Sequence, residues 1–358
     1  DGGAIVGQAR DTTISDSAVT STTVSSANNY SVGGVVGNIY SSDEETKLSS
    51  VTDSYVSDST ITSAYGEVGG VVGYMEGVIV DNAMVKNSSI YTTGTIQGSY
   101  GAGGIVGDAE YDSEIKNSSV ENSTIAAMQD AGGIVGYMDE TQITNSFYDL
   151  SNTKIGDKTG VDVGENVAGV ITYGGVDHAE YAAWLSGNKE TLSAASLLGA
   201  AVNGYYSIDN NADFRKMLAL AYDPANKFKL ASSFTLDAGL YLPVLRGELD
   251  GNNFTLSGLN VSQSYNSYIG LVGRLEGGTI KNLTLTSPTL NGYSYVGGIV
   301  GSATKNYDGT LSPTISNVTV NNFTFSHTRE FDVASQHIDT GVYNIGAVAG
   351  SVDNGTLS

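Results

Sequence analysis

Apolar positions along this chain recur in two alternating patterns. The first is a six-residue phrase, Val-Gly-Gly-Val-Val-Gly at 68–73, with versions closing at Gly7, Gly37, Gly73, Gly107, Gly136, Gly273, Gly301 and Gly350. Its third position is always Gly or Ala and its fourth always a branched aliphatic residue. The first five copies are spaced by 30, 36, 34 and 29 residues. The second pattern is an eleven-residue frame with apolar residues at i, i+5 and i+10: Ile14, Val19, Val24; Val51, Val56, Ile61; Val80, Val85, Ile90; Ile115, Val120, Ile125; Ile280, Leu285, Leu290; and Ile315, Val320, Phe325. A step of five matches neither the 3.6 period of a helix nor the period of two of a long strand. It predicts very short strands separated by corners.

The residue at i+2 of every frame is Asp or Asn: Asp16, Asp53, Asn82, Asn117, Asn282 and Asn317. Both residue types tolerate the left-handed conformation that a corner requires, and stacked coil on coil they can form side-chain ladders. The aliphatic pairs of the phrase, such as Val71-Val72 and Ile105-Val106, favour strand over helix. Because strand side chains alternate, the two residues of a pair are not expected both to face the core, and the sequence leaves open which does. Repeats at this interval bury their apolar faces by stacking on one another. The phrase supplies one side of a coil and the frame supplies corners and the remaining sides. The fold expected is all-β, a right-handed parallel β-helix with a short helical insertion or junction.

The frame keeps its start at Ile143, Asn145 and Tyr148 and loses step at 149–155. Residues 156–204 have no frame and shift to Ala and Leu around the single Trp184, which suggests an insertion of short helices. A second module starts at Tyr205. Asp209-Asn210-Asn211 precedes Phe214, Met217, Leu218 and Ala221 on one helical face, and Asp223-Pro224 ends the run, predicting a helix at about 210–222. Strand-like runs follow at 228–230, 234–236 and 241–245, then a turn at 249–256. The organisation expected is therefore a β-helix module over 1–155, a junction over 156–204 and a second β-helix module over 205–358.

The chain of 358 residues carries a net charge of −22, which counts against nucleic acid and anionic membrane surfaces as partners. It has no cysteine, so disulfides and thiolate metal sites are excluded. No apolar run reaches the ~20 residues of a membrane-spanning helix. The chain starts within a repeat phrase at Asp1-Gly2-Gly3 and stops at 355–358, where another repeat body is due. The expectation is a segment of something longer or a unit that stacks end to end.

Recognisable chemistry is sparse. His178, His327 and His337 stand apart, with no second histidine at metal-ligand spacing. There is no Gly-x-Ser-x-Gly, and the glycine phrases lack the Gly-Lys-Ser/Thr ending of a phosphate loop. Acidic clusters at Asp43-Glu44-Glu45, 108–112 and Asp139-Glu140 offer oxygen ligands for calcium, with a solvated surface as the plainer reading. Otherwise no catalytic, cofactor-binding or metal-binding residue is assigned. Arg246 with Glu248 and Asp250 is the nearest approach to the base and carboxylates of a polysaccharide lyase, although residues two apart on a strand share a face for ordinary reasons. Ten Asn-x-Ser/Thr sequons occur, at Asn29, Asn87, Asn117, Asn122, Asn253, Asn260, Asn282, Asn317, Asn322 and Asn354, several of them at corner positions that turn chemistry already explains. Tyrosines 40, 55, 65, 74, 91, 100, 111, 137, 265, 268, 293 and 295 lie near turns and strand ends, where rings serve either sugar or protein contact or packing between coils.

Tyr-Ile-Gly-Leu-Val-Gly at 268–273, followed by Gly-Gly-Thr-Ile-Lys-Asn-Leu-Thr-Leu at 277–285, resembles the GLUG-type repeats of large bacterial surface proteins, including filamentous-haemagglutinin-like adhesins and regions flanking some immunoglobulin A proteases. The lead-in from the predicted helix through Leu249-Asp250-Gly251-Asn252 to Leu259 is similar to what precedes such repeats. The resemblance implies export to the bacterial cell surface and a non-enzymatic stalk or adhesin segment that projects and attaches. Its implied partners are a host or neighbouring-cell glycan or protein. The family's protease chemistry sits in a separate zinc domain, and this chain has no His-Glu-x-x-His, so no catalytic residue is carried over. Two other classes stay open: a self-assembling extracellular fibre subunit that stacks end to end, and a carbohydrate-active β-helix enzyme. An ice-binding β-helix is more remote, because the threonines do not align from coil to coil.

Overall fold

A computed structural model describes residues 1–28, 31–43, 46–93, 101–127, 130–156, 173–189, 191–263, 267–326 and 343–358. It divides into two compact units, Asp1–Thr191 and Leu192–Ser358. The division falls inside the segment read as a junction from the sequence.

The first unit is a parallel β-helix of five coils, each turning through five short strands. In the third coil these are Val68–Gly69, Val72–Glu76, Val78–Asp81, Met84–Lys86 and Ser89–Thr92. Equivalent strands of successive coils pair in parallel and form five stacked sheets. Register follows the eleven-residue frame: Ile14, Val51, Val80, Ile115 and Ile143 form one column. Val19, Val56, Val85, Val120 and Tyr148 form the next, and Val24, Ile61, Ile90, Ile125 and Ile155 the third. The members from Val51 to Ile125 are fully buried, and each such side chain contributes roughly 1.5–3 kcal/mol.

Corners are where the frame placed them. Asp16, Asp53, Asn82, Asn117 and Asn145 have φ between 48° and 54°, and the corner five residues on, at Ser21, Asp58, Asn87 and Asn122, has φ between 45° and 51°. The expected ladders also form. Asn82 Nδ2 donates to Asp53 Oδ1 at 2.6 Å, Asn145 Nδ2 to Asn117 Oδ1 at 2.7 Å, and Asn122 Nδ2 to Asn87 Oδ1 at 2.8 Å. The residue after each corner is commonly a serine with a second role. Ser59, Ser88, Ser118 and Ser123 are buried; each Oγ donates to the carbonyl two residues back and accepts a backbone N–H from the coil before it. Buried polar corners are thereby satisfied without water.

The glycine phrase resolves the aliphatic-pair question in an unexpected way: both residues are buried. Val71 and Val72, like Ile105 and Val106, are fully inaccessible. The phrase is not one strand but two, Val68–Gly69 and Val72–Glu76, with a bend at 70–71. Alternation is reset at the bend, so neighbours in sequence can both point inward. Close approach dictates the glycine there: a Cβ on Gly70 would sit 2.1 Å from the Gly104 carbonyl oxygen and 2.7 Å from Val85 Cγ2.

The frame that lost step after Tyr148 recovers it. Ile155 rejoins the Ile125 column, the extra residues being taken up in a turn at 150–152. Beyond the fifth coil, Gly175–Val176 adds a parallel strand to Phe147–Asp149. Helix α1, His178–Ser186, buries Tyr181 and Trp184. Both belong to the first unit.

The second unit opens with helix α2, Ala194–Leu198, closed at its start by a reciprocal Ser193–Ser196 capping box. Helix α3, Asn211–Leu220, matches the sequence reading. Asn210 Oδ1 caps it by accepting from the N–H groups of Ala212 and Asp213, and Phe214, Met217 and Leu218 are buried. Parallel coils follow, with Leu242–Leu245, Val272–Glu276, Val300–Thr304 and Ala349–Val352 forming one sheet. The columns Leu249, Ile280, Ile315 and Leu256, Leu285, Val320 continue the frame. Here the corner asparagines Asn282 and Asn317, with φ of 53° and 49°, lie inside continuous eight-residue strands, Thr279–Thr286 and Thr314–Asn321.

Candidate functional site

With the apolar positions turned inward, any site must lie on outward columns or corners. Three outward clusters stand out, two on the first unit and one on the second.

The first lies on the sheet that contains Val72–Glu76. Asn38, Tyr74, Asp108 and Tyr137 occupy one column in register. Asp108 is nonetheless only 7% exposed, and its Oδ1 has no hydrogen-bond partner. Burial pushes its carboxyl up to about 8, and the negative charges of Glu110, Glu67, Asp130 and Asp139 add to the shift. Tyr74 donates to Glu110 at 3.0 Å, and Ser31 to Glu67 at 2.7 Å. Among the described residues no Lys, Arg or His forms an ion pair with Asp108, Glu110 or Glu67. The segment 108–112 flagged from sequence thus contains a buried acid, which the sequence did not distinguish from its solvated neighbours. Among the described residues no three His, Cys, Asp or Glu side chains are placed to share a metal ion. Asp43 caps its own turn by accepting from Thr46 N–H at 3.3 Å, while Glu44 and Glu45 lie outside the described residues.

The second cluster joins α1 to the corner ladder. Trp184 Nε1 donates to Asn145 Oδ1 at 2.9 Å, and Asn145 Nδ2 also donates to the Lys189 carbonyl at 2.8 Å. Lys189 Nζ donates to Asn82 Oδ1 at 2.7 Å and to the Asn117 carbonyl at 2.9 Å. Burial lowers the Lys189 pKa, opposed by Asp81 and Asp53. At the other end of α1, His178 Nδ1 lies 2.6 Å from Asp149 Oδ2. The Asp149 hydrogen bond and charge raise the imidazole pKa. His178, expected to be isolated, is therefore a clasp between α1 and the fifth coil. His327 and His337 lie outside the described residues.

The third cluster tests the lyase-like triplet. Glu248 and Asp250 do share a face, but Arg246 does not join them. Arg246 Nε donates to Glu276 Oε2 at 2.8 Å and the guanidinium lies 3.6 Å from the Tyr222 ring centroid. Glu248 and Asp250 instead meet Lys227, Lys229 and Lys281 from neighbouring strands. Tyr205 donates to Glu248 at 2.7 Å and accepts from Lys281 at 3.3 Å. The Glu248 hydrogen bond is the largest cause of a raised Lys281 pKa, which holds it as an ammonium rather than as the neutral amine a proton-abstracting base would need. The three lysines escaped the sequence reading because none of them is near Glu248 or Asp250 in the chain; only stacking of the strands brings them together.

The tyrosines divide between exposure and packing. Tyr111 and Tyr137 are 45% and 37% exposed. Tyr268 and Tyr295 stack at 4.9 Å with planes 10° apart, one coil on the next. Tyr100 and Tyr265 lie outside the described residues.

These features define a parallel β-helix whose glycine phrases and aliphatic frames repeat coil after coil. The GLUG motif model matches residues 28–62 and 98–126, so the chain carries GLUG repeats. It is also similar to halomucin of Haloquadratum walsbyi, with 29% identity over 196 residues, covering 50% of this chain and 2% of that protein. No solved structure matches. Among the described residues no helix is long and apolar enough to cross a membrane.

Proposed function

We propose that this chain is a non-enzymatic, extracellular β-helix segment of a surface repeat protein, which projects from a cell and attaches to a glycan or protein partner. What supports the reading is the way outward polar groups are used. In the corner ladders, the Trp184–Lys189 clasp and the Lys281 network, polar side chains satisfy one another from coil to coil. Such self-satisfying stacking suits a shaft, whose stability grows with coil number. The GLUG matches and the similarity to halomucin favour the same setting. The outer surface then offers tyrosines and short polar side chains, which give contact area at small entropic cost.

A glycan array and a panel of extracellular-matrix proteins, probed with the purified chain, test the reading. Saturable binding that survives moderate salt is expected. Turnover of a polysaccharide would replace the reading with an enzymatic one. Concentration-dependent fibres in sedimentation, without ligand binding, would favour a self-assembling subunit.

A further inference from the structure

The sequons are not explained by a projecting role. Asn29 lies outside the described residues and Asn354 Nδ2 donates to its neighbour Asp353 at 3.0 Å; the structure sorts the other eight into two sets. In the first set the amide is consumed by the ladders. Asn117 Nδ2 donates to Asp81 and its Oδ1 accepts from Asn145; Asn87 Nδ2 donates to Asp58 and its Oδ1 accepts from Asn122. In the second unit Asn317 Nδ2 donates to Asn282, whose own amide donates to Asp250. Each ladder bond takes one of the two Nδ2 hydrogens and holds the amide against a coil about 4.8 Å away, so a sugar on any of these nitrogens would crowd the neighbouring rung.

Asn253, Asn260 and Asn322 form the second set. All three are exposed, and their side-chain amides engage no partner among the described residues. What frees them is the residue one coil away. The corner column of Asn322 holds Gly258 and Ser287, since Asn260, Thr289 and Thr324 are in register two residues later. Neither offers the amide or carboxylate that Asp58 offers Asn87. Asn253 sits at φ 63° beside Asn282, but the Asn282 amide is already committed to Asp250 at 3.0 Å. Asn260 opens the strand Asn260–Gln263 with its side chain exposed while Val261 turns inward.

We propose that Asn253, Asn260 and Asn322 are acceptors for N-linked glycan, whereas Asn87, Asn117, Asn122, Asn282 and Asn317 are closed to it in the folded protein. The inference rests on the exported character proposed above, because the donor is a sugar carried on a membrane-bound polyprenyl diphosphate. The Asn Nδ2 attacks the sugar C1, a C–N bond forms and the C1–O bond to phosphate breaks. The diphosphate leaves with the electron pair, and the nitrogen gives up one of its two protons to a base of the transferase. Glycans so placed would sit on the outer surface of the second unit without opening a ladder.

The test is secretion of the 358-residue chain, behind a signal peptide and with a control sequon appended at its C-terminus, from a yeast that performs N-glycosylation. Occupancy is read by mass spectrometry after enzymatic deglycosylation in heavy-oxygen water, in the folded secreted fraction and in the retained insoluble fraction. Expected in the folded fraction is occupancy above about one half at Asn253, Asn260 and Asn322 and below about one twentieth at the five laddered asparagines, whose modified forms appear in the insoluble fraction. Comparable occupancy at laddered sites in folded protein would overturn the proposal, as would bare Asn253, Asn260 and Asn322 beside a modified control. Because the signal peptide supplies export, neither result depends on where the natural protein resides.

Discussion

Trp184 donates its indole N–H to Asn145 Oδ1 at 2.9 Å, so the only tryptophan of the chain ends the ladder of corner asparagines in the first unit. The ring is 2% exposed and meets Phe147 edge-on at 5.0 Å. Two contributions can be separated by substitution. Trp184→Phe keeps most of the packing and loses the hydrogen bond, with an expected cost of about 1–2 kcal/mol. Trp184→Ala also leaves a cavity, with an expected cost of about 3–5 kcal/mol. Urea unfolding followed by circular dichroism measures both; equal costs would mean that packing adds nothing to the hydrogen bond, and a phenylalanine variant as stable as the wild type would mean that the hydrogen bond contributes nothing.

Asn117 tests the corner itself. At φ 51° it makes two ladder bonds, to Asp81 and from Asn145. Asn117→Gly keeps the backbone conformation and removes the ladder; Asn117→Ala removes both. Alanine should be the worse by about 1 kcal/mol, the cost of holding a Cβ in the left-handed region. The order of the two melting temperatures decides this, and a less stable glycine variant would refute the conformational account.

Val120 and Glu121 are neighbours in sequence with opposite surroundings. Val120 is fully buried in the second frame column, while Glu121 faces outward and pairs with Lys86 of the preceding coil. Val120→Asp should cost more than about 4 kcal/mol, because an unpaired charge enters the core. Glu121→Lys loses the Lys86 contact and should cost only about 0.5–1 kcal/mol, since the pair is partly exposed. Melting temperatures of the two variants should differ widely.

Asp108 predicts a pH dependence of unusual sign. Its folded pKa of about 8 lies above the ordinary 3.8, so between those values the folded state holds a proton that the unfolded chain has released. Stability attributable to this group is therefore greatest at the acid end of the window and is lost as pH rises toward 8. Asp108→Asn should flatten the slope and raise stability at pH 8 by about 2 kcal/mol, well below the full shift because neighbouring acids relax. Denaturation profiles at pH 5 and pH 8 measure it; a wild-type and variant difference that does not change with pH would contradict the buried-acid account.

Much of this molecule was legible in the sequence because a β-helix is built from local rules repeated. The five-residue step fixed which side chains turn inward, and Asp or Asn at i+2 fixed the left-handed corners, as Val80 and Asn82 show. The Asn210 cap and apolar face of α3 were equally local. Other features depend on what lies one coil away, about 30 residues distant in the chain, which no local pattern reports. The bend at 70–71 lets Val71 and Val72 both face inward because the backbones of adjacent coils nearly touch at Gly70. Arg246 turned to Glu276 and left Glu248 and Asp250 to three lysines. Asn87 and Asn322 occupy the same kind of corner and carry the same sequon, yet a neighbouring Asp58 ties down one amide while Ser287 leaves the other free. The sequence by itself determined the repeating backbone and its core, since those follow from conformational preference and hydrophobic burial within each coil. Only the tertiary structure decided which polar groups remain available, because hydrogen bonding between stacked coils depends on the residue that register brings opposite.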